Sequence, residues 1–324
     1  MANPTVSEYP KKIQIGIHDG FCNLKCSMCF LHSKENNQKT KISKGTMAYD
    51  AFCGLLDQVK EHNSIISPYR WSEPLVFNSF LQYAKAVKDR DLSTVINTNG
   101  LSLNRKMRCD LIEMAFDSVT ISLDAISNTT YQKIRGVDRL NAVKDVVFDF
   151  LEERGEKTYP RIGVSLALSE INSDEEDAFI SFWTQYVDVV RVNKMLNSDF
   201  SIDGIDLEGD RVPCGLLYDS MVIDYKGDVV LCCMDALNST NMGNVFKDGI
   251  HKVWNNPKFS RIRAFHEEGR YNELPLCRNC SNWANINYKE KIVGNILLRE
   301  SKVMKFYNRI DRLTSWNYSL PVPE

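Results

Sequence analysis

The sequence predicts an α/β protein, a partial (β/α)6 barrel followed by a small second domain. Three observations lead there. Short strand-like runs alternate with helix-period stripes from Lys11 to Val192, the pattern of βα units around a parallel sheet. Six such units can be counted, fewer than the eight of a closed barrel. After about Asn197 the alternation stops, and a turn-rich segment with five cysteines follows. The expected organisation is a barrel over 11–197, a second domain over 212–289, and a helix with a tail over 290–324.

Lys12–Ile17 reads as the first strand and Ile65–Trp71 as the second. Thr94–Thr98 is the third, ended by the breaker Asn99-Gly100. Ser118–Leu123 is the fourth; Ile162, Val164, Leu166 and Leu168 alternate in the fifth; Val187–Val192 is the sixth. Between them, Phe52, Leu55, Leu56 and Val59 fall on one helical face. Val76, Phe77, Phe80, Leu81 and Ala84 repeat that spacing, as do Val143, Val146, Val147 and Phe150, and Phe179, Phe182, Trp183 and Tyr186. These are core faces for packing on a sheet, which leaves the C-terminal strand ends for chemistry. Ser198–Arg211 is acidic and irregular, a linker. A hairpin turning at Lys226-Gly227-Asp228 follows. In the last stretch Phe306, Tyr307, Trp316 and Tyr318 are expected to dock on the barrel.

The apolar fraction of 43% and charged fraction of 25% are ordinary for a globular chain. A net charge of −2 gives no electrostatic reason to expect nucleic acid or a membrane surface as partner. No signal peptide or bilayer-length apolar run is visible, so the expected location is cytoplasmic, where disulfides rarely persist. The 10 cysteines therefore need another explanation. Cys53 and Cys109 lie on helical stretches and suit the core; the others are grouped.

Cys22, Cys26 and Cys29 stand at C-x3-C-x2-C directly after the first strand. Clustered thiolates select iron–sulfur clusters or zinc. Three cysteines leave one iron of a [4Fe–4S] cluster open; zinc would want a fourth ligand, which His18 or His32 would have to supply. This loop, on a partial βα barrel, resembles the radical S-adenosylmethionine (AdoMet) superfamily. The resemblance implies that AdoMet chelates the open iron and is cleaved reductively to a 5′-deoxyadenosyl radical that abstracts hydrogen from substrate.

Further positions match that family one at a time. Met28 stands where an aromatic residue usually lies near the adenine. Trp71-Ser72-Glu73-Pro74 resembles the Gly-Gly-Glu-Pro segment that meets the AdoMet amino group, with Glu73 and Pro74 kept and both glycines replaced, Ser72 standing for the second. Asn99 lies in Asn97-Thr98-Asn99-Gly100, similar to the third-strand segment of the site. Ser122 and Asp124 lie in the stretch similar to the fourth-strand motif that meets ribose and carboxylate. Arg135 stands where an arginine often pairs with the AdoMet carboxylate; a surface salt bridge is the plainer reading.

Cys214, Cys232, Cys277 and Cys280 form the second group, enough to close either a cubane cluster or a zinc site. Gly227–Cys232, Met242–Val245, Val253-Trp254 and Cys277–Cys280 resemble the SPASM/twitch extension of radical AdoMet enzymes, which implies one auxiliary [4Fe–4S] cluster. The cysteine pattern resembles that of the aminocyclitol dehydrogenase of butirosin biosynthesis. Cys233 is left over, a cluster neighbour or a hydrogen-atom donor to a substrate radical.

A fully ligated auxiliary cluster suits electron transfer, hence net oxidation of a small polar substrate such as a sugar or aminocyclitol, or epimerisation. The alternative is a peptide- or protein-modifying maturase, against which stands the short segment before the first strand. Arg191 is a weak candidate for a catalytic base; a salt-bridged barrel arginine is the plainer reading. An electron donor such as flavodoxin or ferredoxin is expected as partner.

Overall fold

The computed structural model describes residues 5–34, 43–197, 199–205, 211–285 and 288–313. In chain order the main elements are β1 (Lys12–Ile15), α1 (Tyr49–Asp57), β2 (Ile65–Ser67), α2 (Phe80–Lys88), β3 (Ser93–Thr98), α3 (Arg105–Glu113), β4 (Ser118–Ser122), α4 (Asn128–Arg135), α5 (Leu140–Arg154), β5 (Arg161–Leu168), α6 (Glu176–Trp183) and β6 (Val189–Lys194). Then follow β7 (Ser220–Ile223), β8 (Asp228–Val230), α7 (Pro257–Glu267), β9 (Lys289–Val293), β10 (Ile296–Glu300) and β11 (Met304–Arg309). The six-strand βα series expected from the sequence is present. The second strand is shorter than expected, because Tyr69 turns back onto Ser67.

The chain divides into two compact units, each made of two separate stretches: Met1–Ile96 with Leu196–Ile286, and Asn97–Met195 with Asn287–Glu324. In the first unit β1 pairs with β2 and β2 with β3, all parallel. The far edge of β1 is taken by β7, also parallel, and β8 folds back antiparallel on β7. The second-domain hairpin therefore continues the same sheet as the first barrel strand. Its turn works as the sequence predicts: Gly227 has φ +80°, and Asp224 accepts the Lys226 and Asp228 N–H groups at 2.8 and 3.0 Å.

In the second unit β4, β5 and β6 are parallel, and β11, β10 and β9 continue from β6 as an antiparallel run. The described part of 290–324 is thus strand, not the expected helix. Leu297, Leu298 and Asn308 are buried there, and strand pairing with β6 satisfies the backbone. Phe306 and Tyr307 lie in β11, while Trp316 and Tyr318 fall outside the described residues.

The stripes read from the sequence bury most of their faces; in the fourth, Phe179 and Trp183 are buried but Tyr186 is 41% exposed, because it lies past the end of α6. Phe52, Leu55 and Leu56 of α1 and Val143, Val147 and Phe150 of α5 are at most 1% exposed. One stripe is displaced: α2 begins at Phe80 rather than Val76. Pro74 opens a separate 3-10 turn, Pro74–Val76, and Phe77 is extended. Two helices gave weak apolar signals. α3 is mostly charged and is started by Asn104, whose side chain accepts Met107 N–H at 3.0 Å. α4 is started by Ser127 and ended by Gly136 at φ +77°. Cys109 lies on α3 and Cys53 on α1. Among the described residues no helix is long and apolar enough to cross a membrane.

Candidate metal centres and cofactor site

The first cysteine loop leaves β1 through a tight corner at Gly16, where a Cβ would lie 2.2 Å from the Asp19 carboxylate. Beyond it, Cys26 is buried, and Cys22 and Cys29 are partly exposed. Two sulfurs receive backbone donors: Leu24 N–H to Cys22 Sγ at 3.4 Å and His32 N–H to Cys29 Sγ at 3.2 Å. Burial pushes the Cys22 thiol up to about 11, and Glu73, Cys26 and Cys29 add to it. These neighbours place the three cysteines and Glu73 in one electrostatic neighbourhood. A bound iron would reverse the shift, because coordination strips the thiol proton. His18 is engaged elsewhere, stacked between Phe21 and Phe77 at 4.1 and 4.6 Å.

The 70–75 loop is the hub of the first unit. Arg70 Nε lies 3.6 Å from Asp19 Oδ2, both buried, and Arg70 donates to Asn238 Oδ1 at 2.5 Å. Trp71 has φ +42°, a left-handed conformation. Its indole N–H donates to the Cys233 carbonyl at 2.8 Å, and its own carbonyl is 3.1 Å from His32 Nε2. Glu73 is buried; its N–H donates to the Phe21 carbonyl at 2.8 Å and its carboxylate accepts Leu75 N–H at 3.1 Å. The Ser72 hydroxyl is buried without a hydrogen-bond partner among the described residues. A buried orphan hydroxyl beside a carboxylate is the kind of site that a polar ligand completes.

The second cysteine group gathers around β8 and the end of the first unit. Cys214 N–H donates to His266 Nδ1 at 3.3 Å, and Asn282 N–H to Cys280 Sγ at 3.4 Å. Burial pushes the Cys277 thiol up to about 12, and raises Cys214, Cys232 and Cys280 as well. Cys214 also feels Cys277, Cys280 and Cys233, and Cys232 feels Cys214 and Cys277. Yet among the described residues no three His, Cys, Asp or Glu side chains converge on a single ion-sized point. Four thiolates suffice to hold a four-iron cluster, which takes one sulfur per iron, and would also suffice for zinc. Cys233 is beside the group and partly exposed, its thiol raised by burial to about 11. Two residues here gave no sequence signal. Burial, then the Arg211 charge, holds His266 down at about 4, so its neutral ring accepts from Cys214. Arg211 donates to the carbonyls of Arg278, at 2.9 Å, and Cys277.

The second unit carries the remaining residues. Asp124 is buried, has φ +61°, and ion-pairs with Arg135, which is buried too. The pair is therefore internal, in contrast to the surface bridge expected as the plainer reading. Burial raises the Asp124 carboxyl, while Arg135, the Ala167 N–H at 2.8 Å and Arg191 pull it down. Ser122 Oγ is 3.4 Å from Ser165 Oγ, and the buried Asn99 accepts Leu101 N–H at 3.0 Å. Glu175 ties the loop after Asp124, accepting Ile126 N–H at 2.7 Å and the Ser127 hydroxyl at 2.5 Å.

Comparison with known proteins agrees with this layout. The family model for the SPASM iron–sulfur cluster-binding domain matches residues 214–281. A tungsten-containing aldehyde ferredoxin oxidoreductase cofactor-modifying protein of Pyrococcus furiosus is 24% identical over 314 residues, covering 80% of this chain and 84% of that protein. The S-adenosyl-L-methionine-dependent 2-deoxy-scyllo-inosamine dehydrogenase of Niallia circulans is 25% identical over 144 residues, 41% of this chain and 58% of that one. The crystal structure of BtrN in complex with AdoMet and 2-DOIA superposes with a TM-score of 0.55 at 20% identity, covering 85% of this chain and 94% of that one. The fold is α/β, and the SPASM match assigns an iron–sulfur cluster-binding domain to residues 214–281. The chain is similar to radical AdoMet proteins, and its residues 214–281 match the SPASM iron–sulfur cluster-binding domain.

Proposed function

We propose that this protein is a radical AdoMet oxidoreductase that dehydrogenates a small polar alcohol, a sugar, aminocyclitol or similar molecule. Cys22, Cys26 and Cys29 hold the catalytic [4Fe–4S] cluster, and Cys214, Cys232, Cys277 and Cys280 hold the auxiliary one. The observation that carries the reading is the second group: four cysteines satisfy a cubane with no iron left for substrate. When bound, the catalytic cluster and AdoMet supply the 5′-deoxyadenosyl radical that takes a hydrogen atom from the carbinol carbon. The substrate then loses one proton and one electron to become a ketone, and a full auxiliary cluster is the fitting acceptor for that electron.

The chain's own side chains bind and orient. Glu73 and the Ser72 hydroxyl offer an acceptor pair for the AdoMet amino group, and Met28 of the cluster loop is the candidate for the adenine. Asn99, Ser122 and the Asp124–Arg135 pair offer polar contacts to ribose and carboxylate. Arg191 lies within electrostatic reach of Asp124 and is a residue for the substrate hydroxyl. The similarity to a 2-deoxy-scyllo-inosamine dehydrogenase supports a polyol-like substrate. Reducing equivalents come from a one-electron carrier of the flavodoxin or ferredoxin class.

The test is anaerobic reconstitution with iron and sulfide, followed by reduction, AdoMet and a panel of aminocyclitols, sugars and peptides. We expect about eight irons per chain, as two cubane clusters require. We also expect 5′-deoxyadenosine whose formation rises with a polyol, and a ketone in equal amount. The protein with Cys22, Cys26 and Cys29 changed to alanine should form neither. Nucleoside release stimulated by peptides alone would replace this reading with the maturase.

A further inference from the structure

Resting on that reading, we propose that Arg211 tunes the auxiliary cluster, raising its reduction potential so that it accepts the substrate's electron. The guanidinium is fixed by three contacts. Nη1 donates to the Arg278 carbonyl at 2.9 Å, Nη2 donates to the Cys277 carbonyl, and the plane lies 4.1 Å over the Tyr271 ring. Both carbonyls belong to the Cys277-Arg278-Asn279-Cys280 loop, so the charge is clamped to the backbone that carries two of the four sulfurs. Cys277 and Cys280 both feel it as a neighbouring cation.

Among the described residues no carboxylate claims this guanidinium, whereas exposed arginines nearby such as Arg270 are spent on Glu268 and Glu273. The other groups facing the loop are the neutral His266, the protonated Tyr271, Arg278, whose Nε donates to the Asn272 carbonyl at 3.2 Å, and one anion, Asp199, whose carboxylate accepts the Asn279 side-chain N–H at 3.1 Å and leaves Arg211 as the cation clamped to both Cys277 and Arg278 carbonyls. A fixed cation beside a four-thiolate cluster favours the reduced, more negative state, and net local charge is one of the levers that set cluster potentials. Arginine suits this role because it does not deprotonate and its planar fork takes two carbonyls at once. A cluster held by these four cysteines would be the acceptor for the one electron released as the substrate radical gives up one proton and becomes a carbonyl. The electron then passes to an external one-electron carrier of the flavodoxin or ferredoxin class.

The experiment measures the midpoint potential of the auxiliary cluster by electron paramagnetic resonance. Its background is Cys22, Cys26 and Cys29 changed to alanine, so one cluster gives the signal and AdoMet cleavage plays no part. Arg211→Gln should lower the ratio of reduced to oxidised cluster about tenfold at fixed potential, which is about 59 mV for one electron. Arg211→Lys, which keeps the charge, should recover most of that shift. An unchanged potential in Arg211→Gln with four irons still bound would overturn the proposal, as would equal shifts in both variants. Loss of iron from both variants would also overturn it, assigning Arg211 to holding the loop. Loss from Arg211→Gln alone would overturn it too, because the charge would then be holding the cluster rather than setting its potential. Because substrate is absent throughout, the result stands or falls separately from the identity of the substrate.

Discussion

Trp71 sits at φ +42°, where glycine is at ease and a large side chain is not. Such a conformation costs on the order of 1–3 kcal/mol and survives only where the surroundings hold it. Here they do, because the indole reaches the Cys233 carbonyl and His32 reaches the Trp71 carbonyl. The tryptophan where the resemblance expects a glycine thus has a local explanation: the backbone keeps the glycine-like conformation while the side chain ties this loop to the turn that carries Cys232 and Cys233. Trp71→Phe keeps the ring and removes the donor. We expect it to cost about 1 kcal/mol of stability, read as a lower urea midpoint at constant slope. An unchanged midpoint would mean that ring packing alone holds the loop.

At the scale of elements, the edges of the parallel strands are covered by segments that are not barrel repeats. β7 and β8 extend β1, and β11, β10 and β9 extend β6. The outermost, β9, is exposed and carries Lys289, Glu290 and Lys291, the charged kind of edge that resists pairing with other chains. The connection from β4 to α4 depends on Glu175, a residue of the segment before α6. Burial opposes its ionisation, but the Ser127 hydroxyl and the Ile126 N–H win, and its carboxyl sits below its ordinary value. A depressed carboxyl stabilises the fold above the unfolded value of about 4.3, and that contribution disappears as pH falls through the folded value. Glu175→Gln should therefore lose about 1–3 kcal/mol at pH 7, with the gap to the native protein closing below about pH 4. Urea titrations at the two pH values measure it; a gap independent of pH would show that charge is not involved.

At the scale of the whole molecule, the proposed function divides the labour of the two cysteine groups between starting a radical and disposing of an electron. Changing Cys277 and Cys280 together to alanine should leave about four irons per chain. It should also leave 5′-deoxyadenosine formation intact while ketone falls well below the nucleoside released. Equal amounts of both products in that variant would remove the auxiliary cluster from the chemistry.

The sequence by itself determined the class of fold and both cysteine groups. Helical and strand periodicities are local properties of burial, and C-x3-C-x2-C or C-x2-C is a local ligand spacing, so both survive in one dimension. It also located Glu73, Asn99, Ser122, Asp124 and Arg135 through short motifs, without their partners. Only the tertiary structure decided the rest, because the deciding contacts join residues far apart in the chain. Arg211 meets Cys277, His266 meets Cys214, Trp71 meets Cys233 and Asp19 meets Arg70. The C-terminal strands read as helix in the sequence for the same reason: β10 and β11 owe their conformation to backbone pairing with each other and with β6, and a pairing partner is not written in the segment that needs it.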